Sequence, residues 1–204
     1  MQRSNRQDGF TLLELLIAIS IFALVSAISF GTLTQILEQR ERINQERNYW
    51  RSLSIIMTQL EDDLAFVIDR RIRDIDGTTI AAFIGQPADS RAVSPPSLEF
   101  TRAGQWVLAN TGAPAVGRIA YRLLDKKILR QQWVDLDRSP TSEPRSTVLL
   151  NDVEELSLRF LSPNGKWSPT WPIPRSKYAL PTGVEITITT SRNKTYRRLL
   201  VTNG

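Results

Sequence analysis

The chain has 204 residues, enough for one packed domain together with a membrane segment. Its 26 lysines and arginines against 21 aspartates and glutamates leave a formal charge of +5, spread along the chain. A nucleic-acid-binding protein concentrates such charge in a basic stripe; here the densest cluster, Arg70, Arg71 and Arg73, is followed at once by Asp74 and Asp76, and no nucleic-acid partner is expected. Cysteine and histidine are both absent, which excludes disulfides, thiolate nucleophiles, Cys-bearing zinc sites and any Ser-His-Asp or Cys-His catalytic set.

Residues 1–9 are polar, with Arg3, Arg6 and Asp8, and end at Gly9. Phe10 opens an apolar run that continues to about Leu37, and no charge lies between Leu15 and Leu33. Such a run is long enough to cross a hydrocarbon core of about 30 Å as a helix, and the leading arginines favour a cytoplasmic N-terminus. An ordinary secretory signal has an apolar stretch of about 7–15 residues with its cleavage site after it. Here the polar-to-apolar border at Gly9-Phe10 precedes the apolar run, so a cut there removes a leader and keeps the anchor.

Glu14 stands out in this setting. A charged side chain at the centre of a membrane helix costs about 2.5–3.5 kcal/mol on insertion scales, and less near the end. One reading places Glu14 near the membrane interface. The other gives it a positive partner inside an assembly. Cleavage after Gly9 creates such a partner, the free amine of Phe10, and a neighbouring subunit shifted along the bundle brings its Glu14 against that amine.

The stretch Gly9-Phe10-Thr11-Leu12-Leu13-Glu14 resembles the leader-and-helix motif of type IV pilins and type II secretion pseudopilins. The resemblance implies that a prepilin peptidase cuts between Gly9 and Phe10 and methylates the new Phe10 amine. It makes Glu14 the fifth mature residue, which in this family guides docking of subunits into the filament.

From about Gln35 to Asp69 the pattern stays helical, with apolar positions at Ile43, Tyr49/Trp50, Leu53, Ile56/Met57, Leu60, Leu64 and Val67/Ile68. That spacing describes an amphipathic helix with one buried stripe. No proline occurs before Pro87, so this helix continues the membrane segment as one rod, with Gly31 the one soft point. After Arg70 the period shortens, and all eleven prolines follow. Strands are expected at Thr79–Ile84, Ser97–Thr101, Gln105–Leu108, Arg118–Leu124, Ile128–Asp135, Thr147–Leu150, Val153–Leu161, Val184–Thr190 and Thr195–Thr202. Asp125-Lys126-Lys127 and Ser191-Arg192-Asn193 read as hairpin turns. Gly85–Pro96 and Ser162–Pro181 read as irregular loops. The second holds Trp167 and Trp171, either as a partner surface or as a cap on the core.

The fold class is α+β: a long N-terminal helix packed on a mostly antiparallel β head. The expected parcels are a leader at 1–9, a transmembrane and assembly helix at 10–37, an amphipathic continuation at 38–69 and a periplasmic β-rich domain at 70–204.

A second resemblance lies in the C-terminal half. Leu149-Leu150-Asn151-Asp152-Val153-Glu154-Glu155-Leu156, Leu158-Arg159-Phe160-Leu161, Gly165-Lys166-Trp167, Trp171-Pro172 and Leu180-Pro181-Thr182-Gly183-Val184-Glu185-Ile186 are similar to the J-type minor pseudopilins of the type II secretion system. Tyr121-Arg122-Leu123 and Leu129-Arg130-Gln131-Gln132-Trp133 fit the same pattern. This resemblance implies a place beside the I and K minor pseudopilins at the tip of a periplasmic pseudopilus. It also implies a role in priming assembly of the pseudopilus, attachment to the inner membrane, and no catalytic activity.

Other chemistry is thinly represented. Asp62-Asp63 and Glu154-Glu155 are adjacent pairs, which point apart on a helix and to opposite faces of a strand. Asp74-Ile75-Asp76-Gly77 lacks the further oxygen ligands of a twelve-residue calcium loop and reads as a turn. Neither a metal nor any other cofactor is assigned. Two alternatives stay open at this point: a minor pilin of a type IV pilus or DNA-uptake system, and a membrane-anchored periplasmic binding module or hydrolase.

Overall fold

No proline or charge interrupts the chain between Leu15 and Leu37, and the apolar stripe beyond it keeps a helical period. A single helix, α1 (Leu12–Ala65), results. The computed structural model describes residues 11–89, 95–104, 116–133, 135–139 and 141–202. Two compact units divide the chain, Met1–Trp50 and Arg51–Gly204.

In the first unit the described side chains of α1 are exposed almost throughout. Three hydroxyls of its apolar stretch fold back onto the helix. Ser20 donates to the Leu16 carbonyl at 2.8 Å, Thr32 to Ile28 at 2.9 Å and Thr34 to Gly31 at 2.8 Å. Such bonds satisfy a hydroxyl where water is missing.

In the second unit the last turns of α1 bury Leu53, Ile56, Met57, Leu60 and Leu64, each worth about 1.5–3 kcal/mol of removed apolar surface. Among the expected stripe positions, Ile43 and Trp50 stay exposed. The helix also ends earlier than Asp69. Val67 bridges Arg102, Ile68 N–H donates to the Thr101 carbonyl at 3.0 Å, and Ala103 N–H donates to Phe66 at 2.9 Å. Sheet pairing claims the backbone that a further helical turn would need.

Among the described residues, the strands form two larger antiparallel sheets and one hairpin. The hairpin pairs β1 (Ile72–Arg73) with β2 (Thr79–Ile80). The first sheet contains β3 (Phe83–Gly85), β4 (Leu98–Arg102), β5 (Gly117–Leu124), β6 (Lys127–Trp133) and β7 (Arg145–Leu150), in chain order. The second contains β8 (Val153–Leu161), β9 (Trp167–Ser168), β10 (Gly183–Thr190) and β11 (Thr195–Val201), ordered β11-β10-β8-β9. Most expected strands appear within a residue or two. The expected Thr79–Ile84 run splits into β2 and β3, and Gln105–Leu108 lies outside the described residues.

Asp125 and Lys126 both take positive φ, 49° and 58°, between the paired residues Leu124 and Lys127. That is the two-residue turn whose twist matches a hairpin. The Asp74–Gly77 stretch is a turn as well. Asp76 accepts from Thr78 N–H at 3.0 Å and from its hydroxyl at 2.6 Å, and Gly77 supplies a φ of 82° between β1 and β2. The Thr78 hydroxyl bond, followed by its backbone bond, holds the Asp76 carboxyl below its ordinary pKa.

Aromatic rings join the sheets. Phe83 stacks on Phe100 at 5.6 Å, Phe100 on Tyr121 at 6.4 Å, and Phe160 of β8 meets the Phe83 ring edge-on at 5.8 Å. Phe160 also lies directly over Gly85, where an added Cβ would come within 2.0 Å of its ring. Gly85→Ala is expected to lower stability by about 1–3 kcal/mol through overpacking. A reduced denaturation midpoint for the full chain in detergent checks this, and an unchanged midpoint contradicts it.

Candidate functional site: the N-terminal helix and the head surfaces

Gly9 and Phe10 lie outside the described residues. Glu14 sits in the first turn of α1 with its side chain exposed. Thr11 precedes the helix, and its Oγ1 accepts the Glu14 N–H at 3.3 Å while its carbonyl takes the Leu15 N–H at 3.2 Å. Thr11 therefore caps the start of the helix. The helix contains an 18-residue window of mean hydropathy 2.4, none of it buried. Among the described residues, α1 is the one helix long and apolar enough to cross a membrane. The next charge after Glu14 is Glu38.

The two tryptophans of the proline-rich segment have different fates. Trp171 is 2% exposed, its Nε1 donates to the Ala179 carbonyl at 3.0 Å, and its backbone pairs with Gly85 in both directions. That burial removes Trp171 from the expected partner surface, because pairing with the edge of β3 draws the loop onto the core. Trp167 on β9 remains 37% exposed, with the Arg159 guanidinium 5.1 Å above its ring.

Two buried carboxylates organise the head, and sequence reasoning missed both. Asp63 on α1 is fully buried. It accepts from Arg130 Nε at 2.6 Å and Nη2 at 3.0 Å, from Gln59 at 3.2 Å, from the Tyr121 hydroxyl, and from Arg102 Nη1. Arg102 extends its Nη2 to Asp62 at 2.8 Å, so one guanidinium serves both members of the adjacent pair. Burial lowers the Arg130 pKa, but the Asp63 hydrogen bond and charge outweigh it and leave the pKa raised. Burial first, and then the Asp63 charge, push the Tyr121 phenol well above its ordinary value. The readable signal was spacing: position 63 falls on the stripe of 56 and 60.

On the opposite face of the first sheet, Glu99 accepts from Arg118 Nε at 2.8 Å and Arg138 Nη2 at 2.7 Å. The buried Arg118 also donates Nη1 to the Ala82 carbonyl and to Thr101, each at 3.0 Å. Burial lowers the Arg118 pKa against the opposing pull of Glu99. These carboxylates are saturated by arginines, an arrangement that holds strands together and leaves no free base for proton transfer. Glu154 is bound by Lys126 at 2.9 Å, while Glu155 is exposed. Among the described residues, no three acidic groups gather in a manner that could hold a metal ion.

The family model for type II secretion system (T2SS) protein J matches residues 31–202, and the model for the prokaryotic N-terminal methylation motif matches residues 4–30. The chain belongs to the protein J family. Type II secretion system protein J of Klebsiella pneumoniae is 29% identical over 203 residues, covering 98% of each chain. That of Vibrio cholerae serotype O1 is 29% identical over 208 residues, covering all of this chain and 91% of the relative. A chain of the GspK-GspI-GspJ complex from enterotoxigenic Escherichia coli has the same fold, with TM-score 0.63 and 19% identity. That match covers 76% of this chain and 98% of the other. The chain is thus a minor pseudopilin of the type II secretion system, in a structural family. This decides against the pilus and DNA-uptake alternatives. Family membership and the apolar helix together indicate anchoring in the inner membrane.

Asp63→Asn is expected to cost about 3–5 kcal/mol, since it strands two inward-facing arginines. A chemical denaturation midpoint measures the loss. Tyr121 supplies a pH test. In the unfolded chain its phenol ionises near pH 10, whereas the folded chain keeps the proton to higher pH. Its stability contribution is therefore complete below about pH 10 and declines as pH rises beyond it. Tyr121→Phe should flatten that alkaline decline, and an identical slope in the variant contradicts the assignment.

Proposed function

We propose that this chain acts by assembly, as a tip subunit of the pseudopilus alongside minor pseudopilins of the I and K types. The GspK-GspI-GspJ complex of the Escherichia coli relative supports that choice of partners. In this reading residues 1–9 are a leader that a prepilin peptidase removes between Gly9 and Phe10, and the Phe10 amine is methylated. Residues 10–37 hold the chain in the inner membrane and contact other pseudopilins there. Residues 38–69 continue toward the head, and residues 70–204 form the periplasmic domain. Arg3 and Arg6 support this orientation, since positive charges remain on the cytoplasmic side. The saturated carboxylates of the head support a non-catalytic role.

The observation that carries the reading is Glu14, the last charge before Glu38 in a helix otherwise made for lipid. A carboxylate in that position is stabilised by a cation inside the assembly, and the Phe10 amine of an adjacent subunit has the right charge and depth. Pairing of this kind sets how far one subunit is displaced along the next. Priming of pseudopilus growth follows from presenting several such helices together.

Two measurements test this. Mass spectrometry of the mature chain should give an N-terminus beginning at methylated Phe10. Glu14→Ala should leave the thermal unfolding of the head unchanged and reduce secretion by roughly tenfold or more. Normal secretion by that variant, or an intact leader on working protein, overturns the reading.

A further inference from the structure

Among the described residues, strand β11 lies at one end of its sheet and pairs on one side with β10. In an antiparallel ladder, alternate residues direct their backbone groups toward and away from the neighbour. The phase here is set at both ends, because Thr190 N–H donates to the Lys194 carbonyl at 3.0 Å and Thr202 N–H donates to Thr182 at 3.1 Å. Tyr196, Arg198 and Leu200 therefore bond to β10. Thr195, Arg197, Leu199 and Val201 turn their N–H and C=O groups to the open edge.

The same outward residues carry the exposed apolar surface. Leu199 is 53% exposed and Val201 69% exposed. Val201 stands opposite Gly183, Gly183 opposite Leu161, and Leu161 opposite Trp167. An apolar shelf thus crosses the outer face of the sheet and reaches its edge at Val201. Beside it, Arg159 and Glu185 neutralise each other at 3.3 Å.

Charge selects the occupant. No acidic residue follows Glu185, whereas Arg192, Lys194, Arg197 and Arg198 fall within one hairpin. Arg198 is engaged by Glu61 at 3.1 Å. Arg197 shares the outward phase of Leu199 and Val201. Cations on an edge strand discourage indiscriminate pairing, and these leave an acidic segment as the favoured guest. A lipid surface does not supply the regularly spaced donors and acceptors that the open edge requires.

We propose that the free edge of β11 receives an extended segment of a partner protein as an added antiparallel strand, with aliphatic side chains beside Leu199 and Val201 and a carboxylate beside Arg197. Strand addition uses main-chain hydrogen bonds for affinity and alternate side chains for specificity. The proposal stands independently of which pseudopilins surround the chain, and extends the assembly role to a defined kind of recognition.

Hydrogen–deuterium exchange of the full chain in detergent micelles tests it. One probe is a peptide of about nine residues, alternating valine and serine and ending in two glutamates; the other ends in two lysines. The acidic peptide should slow exchange at Arg197, Leu199 and Val201 by roughly tenfold or more, and the basic peptide should not. Arg197→Glu should reverse that preference. Leu199→Pro removes an outward N–H, which an edge strand tolerates, and should abolish protection while Leu200 remains slow to exchange. Should the proline variant fail to fold, Arg197→Glu decides. Absence of protection by the acidic peptide, equal protection by the basic one, or protection by anionic vesicles alone overturns the proposal. So does protection that grows with protein concentration without peptide, which identifies a second copy as the occupant.

Discussion

A carboxylate removed from water must be met by donors on nearly every side, and Asp63 is met by two arginines, a tyrosine and a glutamine. Those groups come from β4, β5, β6 and α1 itself. An apolar stripe alone tolerates sliding or rotation of a helix on a sheet, since one aliphatic contact replaces another at small cost. A fully satisfied buried charge does not, because displacement leaves ions unpaired in a poorly polarisable interior. Asp63 thereby gives the end of α1 one rotation and one height against the first sheet.

The rest of the head follows from that registration. With α1 fixed, Ile56 and Leu60 face a core shared by Leu98, Tyr121 and Ile128 from one sheet and Leu158, Ile186 and Ile188 from the other. Phe160 fills the space that Gly85 leaves open, and Trp171 closes the neighbouring edge through its backbone pair with that glycine. Arg118 and Glu99 perform for the far face of the first sheet what Asp63 performs for the near one.

Much of this was readable from local pattern. The apolar run, the helical stripe, and the alternating runs at Val153–Leu161 and Val184–Thr190 declared themselves through period and composition. The Asp125-Lys126 turn was legible for the same reason. What escaped notice depended on partners distant in sequence. Asp63 meets residues 39 and 67 positions away, and nothing near it announces burial except its place on the stripe. The division into two sheets escaped because order within a sheet is a property of pairing. Trp171 was ambiguous because its burial rests on a backbone bond to Gly85, which side-chain identity cannot reveal. At the start of α1, Glu14 was visible as a charge out of place, whereas the cap from Thr11 becomes evident only once the helix start is fixed.

The hydroxyls of the apolar stretch have a consequence for movement between environments. Ser20, Thr32 and Thr34 direct their protons to carbonyls of their own helix, so each carries its partner along wherever the segment goes. Leaving a lipid surround for a packed protein neighbourhood, or returning, then requires no exchange of partners at those positions. The one ionisable side chain between Thr11 and Leu37 is the Glu14 carboxylate near the segment's start. A segment whose one ionisable side chain lies in its first turn concentrates there the cost of moving relative to lipid.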